Sequence, residues 1–121
     1  MGRAVETQLG GDPAAVAPRT REIVAELRRR LEAIYGDRLV AMVLYGSQAR
    51  GDAELGSDID VMVVLEGPVD PWQEIERTLD DVADLSLERG CVASCLFMEA
   101  GRYELEQGPL LINVRREGVL V

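Results

Sequence analysis

The sequence contains no histidine among its 121 residues. Histidine is the side chain that most often acts as a general base near neutral pH, so its absence removes that option. The same absence excludes every zinc site that needs a histidine ligand. Any chemistry in this chain therefore has to rest on carboxylates, arginine and a metal ion.

Cysteine and long apolar runs are also scarce. The chain has 2 cysteines, Cys91 and Cys95, in an apolar stretch where they are expected to be buried as small hydrophobic side chains. A disulfide between them is not expected, because positions four apart on an extended strand lie about 13 Å apart. No apolar run reaches about 18 residues, and the N-terminus lacks the apolar centre of a signal peptide. These absences predict a cytoplasmic protein without membrane contact.

Positive charge is in deficit. The chain has 13 basic and 22 acidic residues, which gives a formal net charge of −9. Such a chain is expected to be repelled by nucleic acid. The two short basic clusters, Arg28–Arg30 and Arg115–Arg116, are interpreted as solvated surfaces. No nucleic-acid partner is therefore predicted, whereas a nucleotide that arrives with Mg²⁺, or a protein partner, is compatible with the charge.

Length and composition indicate one small domain. Apolar residues make up 47% of the chain and charged residues 29%, which suits a soluble protein with a core. Residues 1–18 are rich in glycine, alanine and proline and have no apolar period, so they are predicted to form a flexible N-terminal tail. Residues 19–121 are predicted to form the domain.

The order of helix and strand patterns predicts a small α/β (α+β) sheet domain. The predicted elements are a helix at about 18–35, strands at 39–45, 58–65 and 91–98, a helical turn at 47–50 and a helix at 71–90. The region 99–107 is predicted as a short helix or loop, 110–114 as helix or irregular structure, and 118–121 as an edge strand. The helix at 71–90 has apolar residues at core spacing: Trp72, Ile75, Leu79, Val82 and Leu85.

One segment has a clear chemical meaning. Gly46-Ser47 is followed, after ten residues, by Asp58-Ile59-Asp60. Gly46 ends an apolar strand, where its freedom to adopt positive φ and its missing Cβ let a phosphate approach the backbone. Ser47 offers a hydroxyl and stands where a helix N-terminus would present N–H groups to an anion. Arg50 is either a phosphate ligand or a solvated surface residue.

The two acids complete the segment. Asp58 and Asp60 occupy alternate positions of a strand, so both side chains project from the same face. Two such carboxylates can share a Mg²⁺ ion that also takes oxygens from a triphosphate. A Gly-Ser turn or an Asp-x-Asp alone is ordinary loop chemistry. Here the acids lead directly into the apolar run 61–64, where two like charges without a cation would be unfavourable. The combination predicts a metal-nucleotide site.

These residues resemble the signature of the DNA polymerase beta-like nucleotidyltransferase superfamily, and in particular its minimal single-domain branch, the minimal nucleotidyltransferases (MNT). The likeness is carried by Gly46-Ser47-Gln48-Ala49-Arg50-Gly51 and by Ser57-Asp58-Ile59-Asp60-Val61. It extends from about residue 19 to residue 121.

The resemblance implies a mixed β-sheet flanked by helices. It implies that Gly46 and Ser47 hold the triphosphate and that Asp58 and Asp60 are the catalytic residues that ligate Mg²⁺. It also implies transfer of a nucleoside monophosphate, usually AMP from ATP, to a hydroxyl, with release of pyrophosphate.

The chain departs from the family pattern at one position. The family usually has a third carboxylate on the next core strand, which helps to bind the catalytic metal and can take the proton of the acceptor hydroxyl. The corresponding strand here has no acid, and Ser94 lies near the expected position. Serine is a weak neutral ligand and a poor base. Glu99, at the end of that strand, is either a substitute acid or a solvated helix start.

The resemblance also implies a partner. Relatives that act on antibiotics or RNA carry an additional domain for the acceptor, so here the acceptor is expected from a homodimer or a separate protein. Minimal members are often paired, as antitoxins, with small helical HEPN ribonuclease toxins, and some adenylylate a tyrosine of the toxin. Two hypotheses follow: an Mg²⁺-dependent adenylyltransferase acting on a partner, and a catalytically weak nucleotide-binding module that neutralises a partner by complex formation.

Overall fold

A computed structural model of the chain describes residues 9–54 and 56–121. Within these residues the fold is a small α+β domain with a mixed four-stranded sheet and five α-helices. The predicted fold class is therefore confirmed. None of the helices in those two ranges combines the length and apolarity needed to cross a membrane.

The first half of the domain follows the sequence pattern closely. Its elements are α1 (Pro18–Tyr35), β1 (Leu39–Tyr45), α2 (Ser47–Arg50) and β2 (Ile59–Leu65). Helix α1 begins at a proline, which is well suited to a first helical position because its missing N–H is not needed there. Its apolar face is buried, with Leu27 and Leu31 both at 0% exposure.

The second half contains α3 (Pro71–Arg89), β3 (Ala93–Glu99), α4 (Ala100–Leu105), α5 (Pro109–Glu117) and β4 (Val119–Leu120). The Asp70 side chain accepts a hydrogen bond from the backbone N–H of Trp72 and caps α3. The region predicted as helix or irregular structure is helical in α5, and β4 is an edge strand.

The sheet order is β3-β2-β1-β4. Strand β1 pairs antiparallel with both β2 and β4, whereas β2 and β3 are parallel. The end of β1 and the starts of β2 and β3 therefore meet at one end of the sheet. At that end Tyr45 pairs with Asp60, and Asp60 pairs with Ser94.

Helices cover both faces of the sheet. Helices α1 and α3 pack on one face, where Val61 and Val63 of β2 contribute to the core. Helices α4 and α5 pack on the other face, against Met62 and Val64. This arrangement explains why β1 and β2 are almost continuously apolar, since strands covered on both faces have no solvated side.

The buried face of α3 differs from the prediction. Trp72, Ile75 and Leu79 are 76%, 41% and 57% exposed, although their spacing suggested a core face. Of the five predicted core residues of this helix, Leu85 is buried and Val82 is half-buried. The prediction for Trp72, Ile75 and Leu79 was therefore wrong.

Hydrogen bonding explains why α3 turns a polar side inward. Glu74 is 2% exposed, and its Oε1 accepts hydrogen bonds from the Tyr35 hydroxyl at 2.7 Å and from Arg77 Nε at 3.0 Å. Thr78, also buried, donates its hydroxyl to the backbone carbonyl of Glu74 at 2.9 Å. Burial and the bond to Glu74 raise the pKa of Tyr35, which stays a neutral donor. Glu74 and its hydrogen-bond donors therefore decide which side of α3 faces inward. The apolar periodicity failed as a guide because it considers only the type of each side chain.

The N-terminal region contains more packed structure than the sequence suggested. Within the predicted tail, residues 1–8 lie outside the described residues. After them, Gly10 N–H donates to the carbonyl of Arg115 at 2.8 Å and Gly11 N–H to that of Gly118 at 3.0 Å. Val16 is 4% exposed and belongs to the core. This segment thus joins α1 to α5 and β4.

Both cysteines are free thiols, in agreement with the expectation of no disulfide. Each is half-buried rather than fully buried and packs against the core formed with α1 and α3. Burial raises the pKa of the Cys95 thiol to about 12, so this group is protonated at neutral pH and is a poor nucleophile.

Candidate functional site

The structure brings together the two halves of the sequence signature. Gly46 follows the last residue of β1, and Asp60 is the second residue of β2. The antiparallel pairing of Tyr45 with Asp60 places the Gly-Ser turn beside the acids. The Gly46-Ser47 turn and the acids, with ten residues between them in the sequence, thus lie at one end of the sheet because β1 and β2 form adjacent antiparallel strands.

Gly46 occupies a position that only glycine fits well. Its φ is +77° and its ψ is −161°, a backbone region essentially restricted to glycine. A Cβ added there would lie 2.8 Å from Oδ2 of Asp60. The glycine therefore permits both the turn into α2 and the close approach of the carboxylate to the backbone.

The two acids share a face but differ in environment. Asp58 is exposed and Asp60 is half-buried. Burial, and then the charge of Asp58, raises the pKa of Asp60 above its ordinary value of 3.8. Burial also raises the pKa of the paired Tyr45, to which the Asp60 charge adds. A cation at this position would relieve the unfavourable charge on Asp60.

The donor set fits a magnesium ion that is shared with a nucleotide. In the part of the chain that the structure describes, no three His, Cys, Asp or Glu side chains gather into a metal cage. Magnesium commonly binds through one or two carboxylates and completes its shell with water and substrate phosphates. Asp58 and Asp60 supply that number of carboxylates, and the adjacent turn has no Cβ at Gly46.

The residues between the two halves of the signature anchor the turn. Gln48 accepts a hydrogen bond from the Thr20 hydroxyl at 3.0 Å and donates one to the carbonyl of Ser57 at 3.2 Å. Ala49 is buried at 1% exposure in the core. Gln48 thus links α2 to α1 and to the residue before the acids, so the turn and the acids are held in one frame.

Glu117, near the end of α5, is a site residue that sequence reasoning missed. Its Oε1 accepts a hydrogen bond from the backbone N–H of Gly46 at 3.1 Å, and its Oε2 accepts one from Arg50 at 2.8 Å. Arg50 also pairs with Asp52 at 3.2 Å. The predicted phosphate-binding arginine is therefore held by two carboxylates in this structure. No spacing pattern in the sequence connects Glu117 to a turn so far away along the chain.

Ser94 and Glu99 lie at opposite ends of β3. Ser94 is exposed and pairs with Asp60, so it stands beside the half-buried acid on the neighbouring parallel strand. Glu99 pairs with Leu65 at the other end of β2. At about 3.3 Å per residue, Glu99 is about 17 Å further along the strand than Ser94. It is therefore too distant to replace the third carboxylate, and the position beside Asp60 holds a neutral hydroxyl.

A cavity of about 900 Å³ opens near the end of the sheet where β2 begins. Its wall includes Gln48, Ser57 and Ile59. Ile59 faces the core on the α1 and α3 side, whereas Asp60, its neighbour on the strand, projects to the opposite face. The cavity is large enough for a small ligand or a protein side chain, and it lies behind the acids rather than over them.

Comparison with known proteins supports the same type of domain. The profile of the nucleotidyltransferase domain family matches residues 24–107. A relative from Methanocaldococcus jannaschii, provisionally named a protein adenylyltransferase, is 38% identical over 45 residues. That match covers 37% of this chain and 46% of the relative, so the chain matches less than half of that protein's length.

A solved structure from Sulfolobus solfataricus, provisionally described as a nucleotidyltransferase, shares the fold. Its TM-score is 0.56 at 14% sequence identity, and the alignment covers 99% of this chain and 87% of the other. At this identity the likeness is one of fold. Because the family profile spans most of the chain and includes both halves of the signature, this protein belongs to the nucleotidyltransferase domain family.

Proposed function

We propose that this protein is an Mg²⁺-dependent nucleotidyltransferase that transfers AMP from ATP to a hydroxyl group. The observation that carries the proposal is the pairing of Tyr45 with Asp60, which sets the Gly46-Ser47 turn beside two carboxylates. The raised pKa of Asp60 supports it, because a half-buried acid next to a second acid is stabilised by a cation.

Each site residue has a defined task in this proposal. Asp58 and Asp60 would hold Mg²⁺, which when bound supplies positive charge against the phosphate oxygens. Gly46, which has no Cβ, would let the triphosphate approach the turn, and Ser47 would bind it through its backbone N–H and its hydroxyl. Glu117 and Gln48 keep the turn in place from two sides.

The proposed transfer balances as follows. The acceptor hydroxyl oxygen forms a bond to the α-phosphorus of ATP, and the bond from that phosphorus to the α,β-bridging oxygen breaks. Pyrophosphate leaves with the electron pair of the broken bond. The acceptor proton passes to water, because Ser94, the residue beside Asp60 on β3, is a neutral hydroxyl on an exposed edge.

The acceptor is proposed to be a hydroxyl of a partner protein. The family resemblance suggests a small helical HEPN toxin, with a tyrosine as the modified residue and an antitoxin role for this chain. The partial match to a protein provisionally named a protein adenylyltransferase supports a protein acceptor. A second copy of this chain is the other source of an acceptor surface.

A second candidate function is a nucleotide-binding module that neutralises its partner by complex formation. The specific observation in its favour is the pairing of Asp60 with the neutral Ser94. The family resemblance predicts a third carboxylate near this position. A site with two acids still binds a metal-nucleotide, but it lacks a built-in proton acceptor. Measured transfer separates the two functions.

Calorimetry with ATP tests the metal site directly. We expect ATP to bind at least about tenfold more tightly with Mg²⁺ than without it, which corresponds to about 1.4 kcal/mol. The Asp58→Asn variant should lose this gain because only one carboxylate remains to hold the ion. The exposed position of Asp58 means that the variant should keep its fold. Equal affinities with and without Mg²⁺ in the wild type would disprove the metal site.

Transfer of labelled AMP decides between enzyme and binding module. The protein is co-expressed with the product of its neighbouring reading frame, and the purified complex is incubated with ATP labelled at the α-phosphate. We expect label on the partner, and mass spectrometry should place the adduct on a hydroxyl side chain. A stable complex that suppresses the partner's activity without incorporating label would establish the binding module instead.

A further inference from the structure

Helix α3 presents an apolar stripe to solvent. Trp72, Ile75 and Leu79 follow one another at helical spacing and are 76%, 41% and 57% exposed. Soluble proteins expose single apolar residues routinely, but a continuous stripe that contains a tryptophan is typical of an interaction site. The feature is not left over from an incomplete core, because the inward side of the same helix carries Glu74 and Thr78.

The stripe faces away from the rest of the domain. Asp81 and Glu88, on the opposite side of α3, contact Arg30 of α1 at 3.4 Å and 3.1 Å. At 3.6 residues per turn, the stripe therefore points away from α1. Helix α3 packs on β3, which is an edge strand of the sheet. A partner lying on the stripe would thus have access to the free sheet edge.

One flank of the stripe is acidic. Glu76, Asp80 and Asp84 recur at four-residue intervals, are exposed, and make no hydrogen bond or ion pair with any residue that the structure describes. The two basic residues of α3 are already engaged, Arg77 with Glu74 at 3.0 Å and Arg89 with Glu26 at 2.8 Å. The surface around the stripe therefore offers unpaired negative charge.

We propose that this surface, formed by Trp72, Ile75 and Leu79 with the acidic row Glu76, Asp80 and Asp84, binds a partner protein through an amphipathic helix rimmed with arginine or lysine. The apolar residues supply the buried contact, and the acidic row selects the charge of the partner. A second copy of this chain would bring the same acidic row and a net charge of −9 against it. Anionic lipid headgroups would meet the same repulsion.

The position of the surface relates it to the functional site. Helix α3 connects the parallel strands β2 and β3, so its C-terminus lies at the end of the sheet that holds the acids. At that end Leu87, 82% exposed, and Val92, 55% exposed, line the 900 Å³ cavity. A helix that lies along α3 would therefore lead a partner toward the site. The binding inference itself holds whether or not the site transfers a nucleotide.

Two synthetic helical peptides test the proposal with the full chain. One carries a leucine face rimmed with arginine, and the other has glutamate in place of each arginine. Trp72 is the only tryptophan of the sequence, so its fluorescence reports on this surface alone. We expect the arginine peptide to shift the emission to shorter wavelength and to bind roughly tenfold more tightly than the glutamate peptide, with a smaller difference at high salt.

Matched variants distinguish peptide binding at this surface from non-specific binding. Leu79→Glu should weaken binding of the arginine peptide at least about tenfold, because it buries a charge in the contact. Leu105→Glu is the control, since Leu105 is 80% exposed on α4 and lies outside the surface. Asp58→Asn should bind the peptide like the wild type, so failure of the nucleotide site would leave this proposal standing.

Four outcomes would overturn the proposal. Equal binding of both peptides, or binding unaffected by Leu79→Glu, would rule out a basic amphipathic helix as the partner of this surface. A shift of Trp72 emission with protein concentration alone, lost in Leu79→Glu, would assign the surface to a second copy of the chain. The same shift on vesicles of phosphatidylserine and phosphatidylcholine, without peptide, would assign it to a membrane.

Discussion

The Asp60→Asn variant is expected to lose nucleotidyl transfer while its metal-free form becomes more stable than the wild type. Transfer should fall at least about 100-fold, equivalent to about 2.7 kcal/mol, because the half-buried carboxylate is one of the two proposed ligands of the ion. Stability should rise because the variant removes a charge that is half-buried beside Asp58. Thermal unfolding and an AMP-transfer assay measure the two effects.

The pH dependence gives this prediction a sign. The folded-state pKa of Asp60 is raised above 3.8, so the folded protein holds this proton more tightly than the unfolded chain. The free-energy penalty of ionised Asp60 is therefore absent below pH 3.8. It grows as the pH rises from 3.8 to the raised pKa, and it stays constant at higher pH. The stability gain of Asp60→Asn should disappear in acid. Asp37→Asn, an exposed substitution away from the site, is the control and should change neither stability nor transfer.

The Gly46→Ala variant is expected to fold less stably and to lose Mg²⁺-dependent ATP binding. The positive φ of +77° should lower the free energy of unfolding by about 1–3 kcal/mol. In addition, the new Cβ would stand 2.8 Å from Oδ2 of Asp60, so the carboxylate has to move out of the site. Urea unfolding and calorimetry with ATP and Mg²⁺ measure the two losses.

Gly67→Ala is the matched control for this variant. Gly67 also has a positive φ, +82°, but a Cβ there meets nothing within 4 Å. It should therefore show the backbone strain without any loss of nucleotide binding. Unchanged binding in Gly46→Ala would show that the close approach of Asp60 to this glycine has no part in the site.

The parts of the fold that depend on local pattern could be predicted from the sequence. Helix α1, strands β1 and β2, and the turn at Ser47–Arg50 all lie where periodicity and glycine positions placed them. That Ser94 lies near the third-acid position stays a prediction; the structure pairs it with Asp60.

Features that depend on tertiary contacts could not be predicted in this way. The face of α3 is decided by the Tyr35 and Arg77 hydrogen bonds to Glu74, one of which comes from another helix. The distance of Glu99 from Asp60 could be known only from the register of β3 against β2. Glu117 could not be assigned to the site because its contact with Gly46 depends on how α5 packs. In each case a partner distant in sequence supplies the deciding interaction.

The contact between Glu117 and Gly46 has a consequence for the order in which the site is assembled during translation. The two residues are 71 positions apart, so the whole signature emerges from the ribosome well before the carboxylate that ties down its turn. Strand β4, which follows Glu117, also pairs with β1 only at that late stage. Contacts of such long sequence separation form late in folding. A nascent chain therefore carries the Gly46-Ser47 turn and both acids for a time without the contact between Gly46 and Glu117.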